Sequence, residues 1–463
     1  MIQKLIMSAQ EVFPLIEGGK GIGVTNGITA GSWAAQGGIG TFSGVNADFY
    51  DAEGNLVPIV YKGKTRQERH EELIEFGIRG GIEQAKIAHD ISGSNGRIHM
   101  NVLWEMGGAQ RILEGILEKA RGLVHGVTCG AGMPYKLAEI AAKYRVHYYP
   151  IVSSARAFNA LWKRSYSKLS ELLGGVVYED PWKAGGHNGL SNSEDPKRPQ
   201  DPYPRVLELR KLMNTFGLSL IPIVMAGGVW QLSEWADWID NPELGPIAFQ
   251  FGTRPLLTEE SPIPSSWKQK LLTLKKGDVF LNKFSPTGFY SSAVQNTFLQ
   301  DLIDRSHRQV SYSSCADEVF SSGIPMGPRQ RMVYFKSEDA TNVQGWIANG
   351  FTEGLRTPDD TMVFVTPASA QQILQDQINC MGCLSACQFS NWAQEEPFTT
   401  GRKPDPRSFC IQKTLQDAVH HDNIEHNLMF AGHNAYRFGT DPFYANGFIP
   451  TVQQLFERIL TGA

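Results

Sequence analysis

The sequence predicts an α/β protein built on one (β/α)8 TIM barrel, followed by a cysteine-rich segment. A short apolar run followed by a helical stretch recurs about eight times, the number that closes a parallel barrel of typically ~250 residues. Glycine-rich motifs follow several of the runs, and four of the 6 cysteines cluster near the C-terminal end. We expect a barrel with lid loops over residues 1–310 and a segment carrying the cysteines over residues 311–463.

The elements follow from hydrophobic periodicity and turn signals. Residues 21–44 alternate apolar runs with glycine and predict a strand, a turn, a small-residue helix and a second strand. Residues 277–335 are expected to supply the closing helix and a linker, and an amphipathic helix is expected near residues 452–459. The other predicted strands are 98–103, 122–128, 148–152, 175–178, 220–225 and 248–251, and the other predicted helices are 66–91, 110–120, 134–144, 155–170 and 205–216.

Composition excludes several classes of partner. The chain has 43 Lys and Arg against 47 Asp and Glu, a net charge of -4, without a basic block. Nucleic acid and anionic membrane surfaces are therefore not expected partners. Neither a signal sequence nor a run of ~18 apolar residues is visible, so we expect a cytoplasmic protein without a membrane span.

Glycine motifs follow the last two predicted barrel strands. Gly227 and Gly228 come after the run at residues 220–225, and Gly252 and Thr253 come after residues 248–251. Loops at these positions commonly bind a phosphate, because backbone N–H groups point at the anion. Arg254 is a candidate charge partner. The glycines are also compatible with a purely structural role in tight turns.

The order of five motifs resembles the nitronate monooxygenase family, formerly called 2-nitropropane dioxygenase. Related to that family are the flavin-dependent enoyl-ACP reductases of bacterial fatty-acid synthesis. Order and spacing agree over residues 15–270. The five motifs are residues 36–41, Asn101, residues 184–189, residues 221–229 and residues 249–254.

The resemblance implies a barrel that binds FMN without a covalent bond. Its phosphate would lie at the glycines after the last two strands, and its ring near the residues after the earlier strands. A bound flavin carries hydride and electrons, while the protein orients it and excludes water. The implied FMN ligands are Asn26, Gly27, Asn101, Gly185, Gly186, Gly227, Gly228, Gln250, Gly252 and Thr253.

His187 follows the Gly185-Gly186 pair and is the candidate catalytic residue. In the family this histidine faces the flavin. An imidazole with an ordinary pKa near ~6.5 can remove the α-proton of a nitroalkane or protonate a reduced substrate. A role limited to hydrogen bonding with flavin or substrate is the alternative.

Four cysteines have the spacing of an iron–sulfur site. Cys380, Cys383 and Cys387 form a C-x2-C-x3-C run, and Cys410 follows later in the chain. Such a run with one distant cysteine favours a 4Fe–4S cluster over zinc, which more often uses two separated C-x2-C pairs. The run is similar to that of iron–sulfur flavoproteins of the 2,4-dienoyl-CoA reductase type, although Cys410 lies farther away than their fourth ligand.

Three functions remain open from the sequence. One is a flavin-dependent oxidoreductase of the nitronate monooxygenase type. A second is a reductase of an activated double bond such as an enoyl thioester. Its electrons would come from NAD(P)H directly, since no second dinucleotide fingerprint is visible, or through the cluster from a ferredoxin-like or reductase partner. The third is a non-catalytic electron relay or redox sensor. A homo-oligomer is compatible with all three.

Overall fold

Eight parallel strands close into a barrel in the computed structural model, which describes residues 2–93 and 95–462. The strands follow one another around the barrel in sequence order, and the last pairs with the first. This arrangement confirms the predicted TIM barrel. The strands are β1 (Leu15–Glu17), β2 (Ile39–Ser43), β3 (Arg97–Leu103), β4 (Gly126–Gly130), β5 (His147–Val152), β6 (Val176–Glu179), β7 (Ile223–Ala226) and β8 (Ile247–Phe251).

The first strand lies earlier in the chain than predicted. A strand was expected within residues 21–44 ahead of the turn, but β1 ends at Glu17 and a loop follows until helix α1 (Gly27–Ala35). Gly18, Gly19 and Gly21 supply no side chains to pack, and glycine weakens a strand. The glycine-rich loop therefore lies at the barrel mouth instead of in its wall.

The outer helices match the predicted ones to within a few residues, with one exception. The helix predicted over residues 155–170 ends at Arg164 and continues as two short 3-10 turns. Helix α2 (Arg66–Ser92) starts with a capping box formed by Thr65 and Glu68. The other helices are Ala109–Lys119, Leu137–Tyr144, Ala155–Arg164, Pro202–Thr215, Ser265–Leu272, Thr297–His307, Ser337–Ala348, Pro367–Ile378, Ile411–His420 and Val452–Thr461. The 3-10 segments are Tyr166–Lys168, Ser170–Leu172, Leu232–Trp238, Arg254–Leu256, His433–Gly439 and Pro442–Gly447.

The helix Val452–Thr461 packs on the outside of the barrel against α1. Phe456 meets Trp33 edge-on, with ring centroids 5.2 Å apart, and both side chains belong to the barrel's apolar core. The Val452 N–H is bound by the carboxylate of Glu260, just beyond β8. This helix, rather than residues 277–335, therefore completes the outer layer. The chain between residues 257 and 451 is an insertion into the barrel, and the boundary predicted at residue 310 falls inside it.

The insertion contains a small α/β unit with its own core. Strands Gln309–Ser311, Thr361–Val365 and Glu353–Arg356 form a sheet, and an antiparallel hairpin joins Ser322–Met326 to Arg331–Phe335. Residues of these strands and of helix Ser337–Ala348 share a separate apolar cluster. The remaining strands form three small sheets. In the first, Ser291–Val294 pairs with both Val279–Asn282 and Gly186–His187. The other two are the pairs Ala386–Cys387 with Trp392–Ala393 and Leu5–Met7 with Gln10–Val12.

Histidines gather at the N-terminal ends of strands β3, β4 and β5. The Ser8 hydroxyl lies 2.9 Å from His99 Nε2 and 2.8 Å from the Tyr149 hydroxyl, and all three side chains are buried. His125 Nδ1 accepts the Ile98 N–H at 3.0 Å. These contacts fill this end of the barrel. In the described part of the chain, none of the helices has a stretch apolar enough to span a bilayer.

Candidate active site

A deep cavity opens at the C-terminal ends of the barrel strands, where TIM barrels place their catalytic groups. The loop after β1 and residues of the insertion line it together with the strand ends. An isolated bridge between Met106, just after β3, and Leu384 holds the insertion close to the mouth. Of the residues predicted from the sequence, the cavity is lined by Asn101, Gly185, Gly186, His187, Gly227, Gly228, Gln250, Gly252 and Thr253.

The loops after β7 and β8 form a cradle with the shape of an anion site. Gly227 and Gly228 have φ angles of 86° and 81°, which favour glycine and let the backbone turn at the cavity wall. No atom lies within 4 Å of the position where a Cβ of Gly252 would stand. The Thr253 hydroxyl oxygen accepts the Gly432 N–H at 2.8 Å, which leaves its proton for another acceptor. Open space beside backbone donors fits a phosphate group.

The cation beside this cradle is Lys183, not Arg254. Lys183 lines the cavity, and its side chain packs against Gly228. Arg254 is 1% exposed and donates to the Trp230 carbonyl at 2.6 Å, with Asp441 3.6 Å away. Arg254 therefore contacts residues of the insertion, and Lys183, unlike Arg254, lines the cavity.

The residues expected near the flavin ring divide into two groups. Asn101 lines the cavity, and its side-chain oxygen accepts the Thr128 hydroxyl at 3.2 Å. Asn26 and Gly27 do not line it. Asn26 caps helix α1 by accepting the Thr29 N–H, and the Gly27 N–H donates to Gln84 on α2. The loop of residues 18–22 lines the cavity in their place.

His187 stands in the short strand that pairs with Ser291–Val294. Its ring packs edge-on against Phe430, with centroids 5.5 Å apart. Its Nε2 lies 2.7 Å from the Ser285 hydroxyl. Burial lowers the pKa of His187 to about 4, and no carboxylate contributes to this shift. The imidazole is therefore neutral at physiological pH.

Glu179 is a cavity residue that is not among those predicted from the sequence. It is the last residue of β6 and lines the cavity. Burial raises its pKa to about 8, and the charge of Asp180 adds to the increase. The side chain thus holds a proton at neutral pH. The available signal was a carboxylic acid at the end of a barrel strand, the position from which catalytic groups project.

The fold brings the four cysteines of the predicted cluster together beside the same cavity. Cys380, Cys383 and Cys387 are buried, and Cys383 lines the cavity. Burial raises the pKa of Cys383, and the neighbouring thiols of Cys410, Cys387 and Cys380 raise it further. The distant Cys410 therefore lies within electrostatic reach of the run. All six cysteines of the chain are free thiols.

Polar contacts hold the cysteine loop in place. The Ser390 hydroxyl and the Gly382 N–H donate to Cys380 Sγ at 3.0 and 3.4 Å. From the start of α2, Arg69 donates to the Cys380 carbonyl at 2.9 Å, and Arg66 donates to the Ser390 carbonyl at 2.7 Å. Two cations therefore lie against the loop, as suits a site of negative charge. Within residues 2–93 and 95–462, no group of three or more His, Cys, Asp or Glu side chains is arranged to hold a metal ion.

Comparison with solved structures shows the same fold. FabK from Thermotoga maritima aligns with a TM-score of 0.51 and 15% identity over 97% of this chain and 91% of its own. The enoyl reductase domain of MlnA, from the macrolactin biosynthesis cluster of Bacillus amyloliquefaciens, gives 0.53 and 11% over 97% and 93%. A nitroalkane oxidase from Streptomyces ansochromogenes gives 0.44 and 18% over 62% and 78%. The chain matches no protein-family model and no curated protein.

Proposed function

We propose that the protein is an FMN-dependent oxidoreductase whose site is the cavity at the barrel mouth. The observation that carries this proposal is the combination of an open glycine cradle after β7 and β8 with a half-buried, neutral His187 in one cavity. When bound, FMN supplies hydride chemistry. Gly227, Gly228 and Gly252 would hold its phosphate, Lys183 would balance the charge, and residues of the insertion would exclude water.

Reduction of an activated double bond, such as that of an enoyl thioester, fits the site best. Hydride addition to such a bond leaves a strongly basic carbon that needs a proton. His187 and the protonated Glu179 are both cavity residues able to deliver one. The MlnA enoyl reductase domain aligns over nearly the whole chain, including the insertion, which supports the same reaction class.

The nitronate monooxygenase type of reaction fits the site less well when it must begin from the neutral nitroalkane. A general base works best with a pKa near the operating pH. His187, with its pKa lowered to about 4, binds a proton too weakly for that task. Oxidation of a preformed nitronate requires no base and stays the second candidate.

Anaerobic assays separate the two reactions. With NADH or NADPH and a crotonyl thioester, we expect saturated thioester to form without oxygen. His187→Gln should lower this turnover by about tenfold or more, while the flavin content stays unchanged. Oxygen uptake with propyl nitronate in the absence of NAD(P)H, together with no anaerobic reduction, would overturn the assignment.

We further propose that Cys380, Cys383, Cys387 and Cys410 bind a 4Fe–4S cluster next to the flavin site. The support is their convergence from two segments of the chain and the two arginines against their loop. Four thiolates of such a cluster bind four different irons and need not meet at one point. Zinc more often binds at two well-separated C-x2-C pairs, so the spacing of these cysteines favours the cluster.

Iron and sulfide analysis tests the cysteine site. Protein purified without oxygen should contain about four irons and four acid-labile sulfides per chain. Cys410→Ser should lower both, whereas Cys315→Ser, at the exposed cysteine, should not. Zinc in place of iron, or full iron in the Cys410 variant, would contradict the proposal. Comparing NAD(P)H with reduced ferredoxin as donor then identifies the route by which electrons enter.

A further inference from the structure

A turn in the insertion places two hydroxyl groups behind His187. Ser285 Oγ lies 2.7 Å from His187 Nε2, and Thr287 Oγ1 lies 2.9 Å from Ser285 Oγ. Ser285 is 2% exposed, whereas Thr287 lines the cavity. Thr287, Ser285 and His187 thus form a chain of hydrogen-bonding groups. Both ends of this chain, Thr287 and His187, line the cavity.

Backbone N–H groups donate to the oxygens of both hydroxyl groups. The Phe289 N–H donates to Thr287 Oγ1 at 3.2 Å, and the Thr287 N–H donates to Ser285 Oγ at 3.4 Å. Each hydroxyl oxygen thus already accepts one bond, and each hydroxyl has one proton to donate. In one arrangement that satisfies these contacts, Thr287 donates to Ser285 and Ser285 donates to His187 Nε2. A neutral imidazole has one donor and one acceptor nitrogen, so in this arrangement the proton of His187 lies on Nδ1.

The turn is anchored on both sides by the cysteine segments. The Gln388 N–H, next to Cys387, donates to the Pro286 carbonyl at 2.9 Å. The Ser408 hydroxyl donates to the Phe284 carbonyl at 2.6 Å. Because backbone and buried polar groups fix the turn, the two hydroxyls are held in place before substrate binds.

We propose that Ser285, oriented by Thr287, is a positioning residue that holds His187 as the Nδ1–H tautomer and restores its proton during reduction. The proposal rests on the proposed reductase function. As the carbanion pair of the substrate forms a C–H bond, the Nδ1–H bond of His187 breaks and Ser285 protonates Nε2. Thr287 then protonates Ser285, and a water molecule in the cavity protonates Thr287 and leaves as hydroxide. The ring now carries its proton on Nε2. A second water molecule protonates Nδ1 while the Nε2 proton returns through Ser285 and Thr287 to the hydroxide left by that water, which restores the Nδ1–H tautomer.

Half-reaction kinetics test this relay with matched variants. Ser285→Ala should slow the oxidative half-reaction, in which substrate is protonated, about tenfold, equivalent to ~1.4 kcal/mol. Flavin reduction by NAD(P)H and FMN affinity should stay unchanged. Ser285→Thr keeps a hydroxyl and should restore most of the rate. Ser292→Ala is the control, because Ser292 is equally buried but lies 3.1 Å from His433 Nε2 instead of His187.

The pH profile provides a readout that a packing defect would not mimic. A hydrogen bond donated to Nε2 favours the neutral ring, so its loss in Ser285→Ala should shift the acid limb of the rate profile to higher pH. Equal losses in Ser285→Ala and Ser292→Ala, without such a shift, would overturn the proposal.

Histidine tautomers can also be observed without any turnover. In protein labelled with 15N-histidine, the NMR signals lost in His187→Gln identify this residue. We expect the Nδ1–H pattern in the wild type and a tautomer mixture in Ser285→Ala. An Nε2–H pattern in the wild type would refute the positioning role. This result stands even if enoyl thioesters prove not to be substrates, so the two failures can be told apart.

Discussion

Gly252 leaves space in the phosphate cradle that one methyl group would occupy. Its φ angle is not in the left-handed region, so alanine fits the backbone. We expect Gly252→Ala to fold normally and to bind FMN about tenfold more weakly, a loss of ~1.4 kcal/mol. Fluorescence titration of the flavin-free protein with FMN measures this change.

Gly345→Ala is the matched control. Gly345 also has open space at its Cβ position, but it lies in helix Ser337–Ala348, away from the cavity. Its FMN affinity should equal that of the wild type. Equal affinities in all three proteins would show that the phosphate does not bind at the loop after β8.

Single residues were predictable where the backbone dictates their type. Gly227 and Gly228 could be read from the sequence because their φ angles exclude most side chains. Lys183 could not, because its position depends on how its loop turns toward Gly228. Asn26 does not line the cavity for a related reason: an asparagine before a small-residue helix is equally suited to capping, and that is its contact.

His125, the residue before β4, is a half-buried group that links stability to pH. Burial lowers the pKa of His125 to about 4, with the charge of Arg97 adding to the shift. In the unfolded chain its pKa is near ~6.5. Between these values the unfolded state binds the proton and the folded state does not, so acidification favours unfolding. From pH 7 to pH 5 we expect His125 to cost about 1–2 kcal/mol of unfolding free energy.

Urea unfolding at the two pH values checks this expectation. His125→Asn offers an oxygen to the Ile98 N–H that His125 Nδ1 now accepts, and it does not titrate. Between pH 7 and pH 5, the His125→Asn variant should lose about 1–2 kcal/mol less unfolding free energy than the wild type. An identical pH dependence in both proteins would assign the acid sensitivity to other groups.

Elements were predictable where local pattern and burial agree. The runs that became β5 and β8 are apolar and lie between clear helices, and the structure places strands there. β1 is only three residues long, and β8 and β2 flank it. So short a strand depends on pairing with distant partners, which a local pattern cannot reveal.

Closure of the whole molecule depends on Phe456 at the interface with α1. The side chain is 2% exposed and meets Trp33 and Phe13 edge-on. Phe456→Ala should lower the unfolding free energy by about 3–5 kcal/mol, measured by urea denaturation. Phe448→Ala, at a ring that is 40% exposed, should change it by less than about 1 kcal/mol. Similar losses in both variants would show that the last helix adds little to barrel stability.

The amphipathic helix near residues 452–459 was predicted, but its partner was not. Apolar spacing identifies a buried face without saying what covers it. The Glu260 carboxylate that binds its N-terminus and the Trp33 ring beneath it are both far away in sequence. Sequence order therefore suggested a separate C-terminal segment, whereas three-dimensional contacts make the helix part of the barrel.

The position of helix Val452–Thr461 near the C-terminal end determines how late in translation α1 can be covered. About 195 residues separate the end of the β8 region from the helix that covers α1. At a ribosomal rate of 5–20 residues per second, their translation takes roughly 10–40 s. Throughout that interval the nascent barrel keeps the apolar face around Trp33 uncovered. The growing chain is therefore exposed to aggregation for much longer than a barrel whose last helix follows its last strand, and binding of a chaperone to that face would protect it.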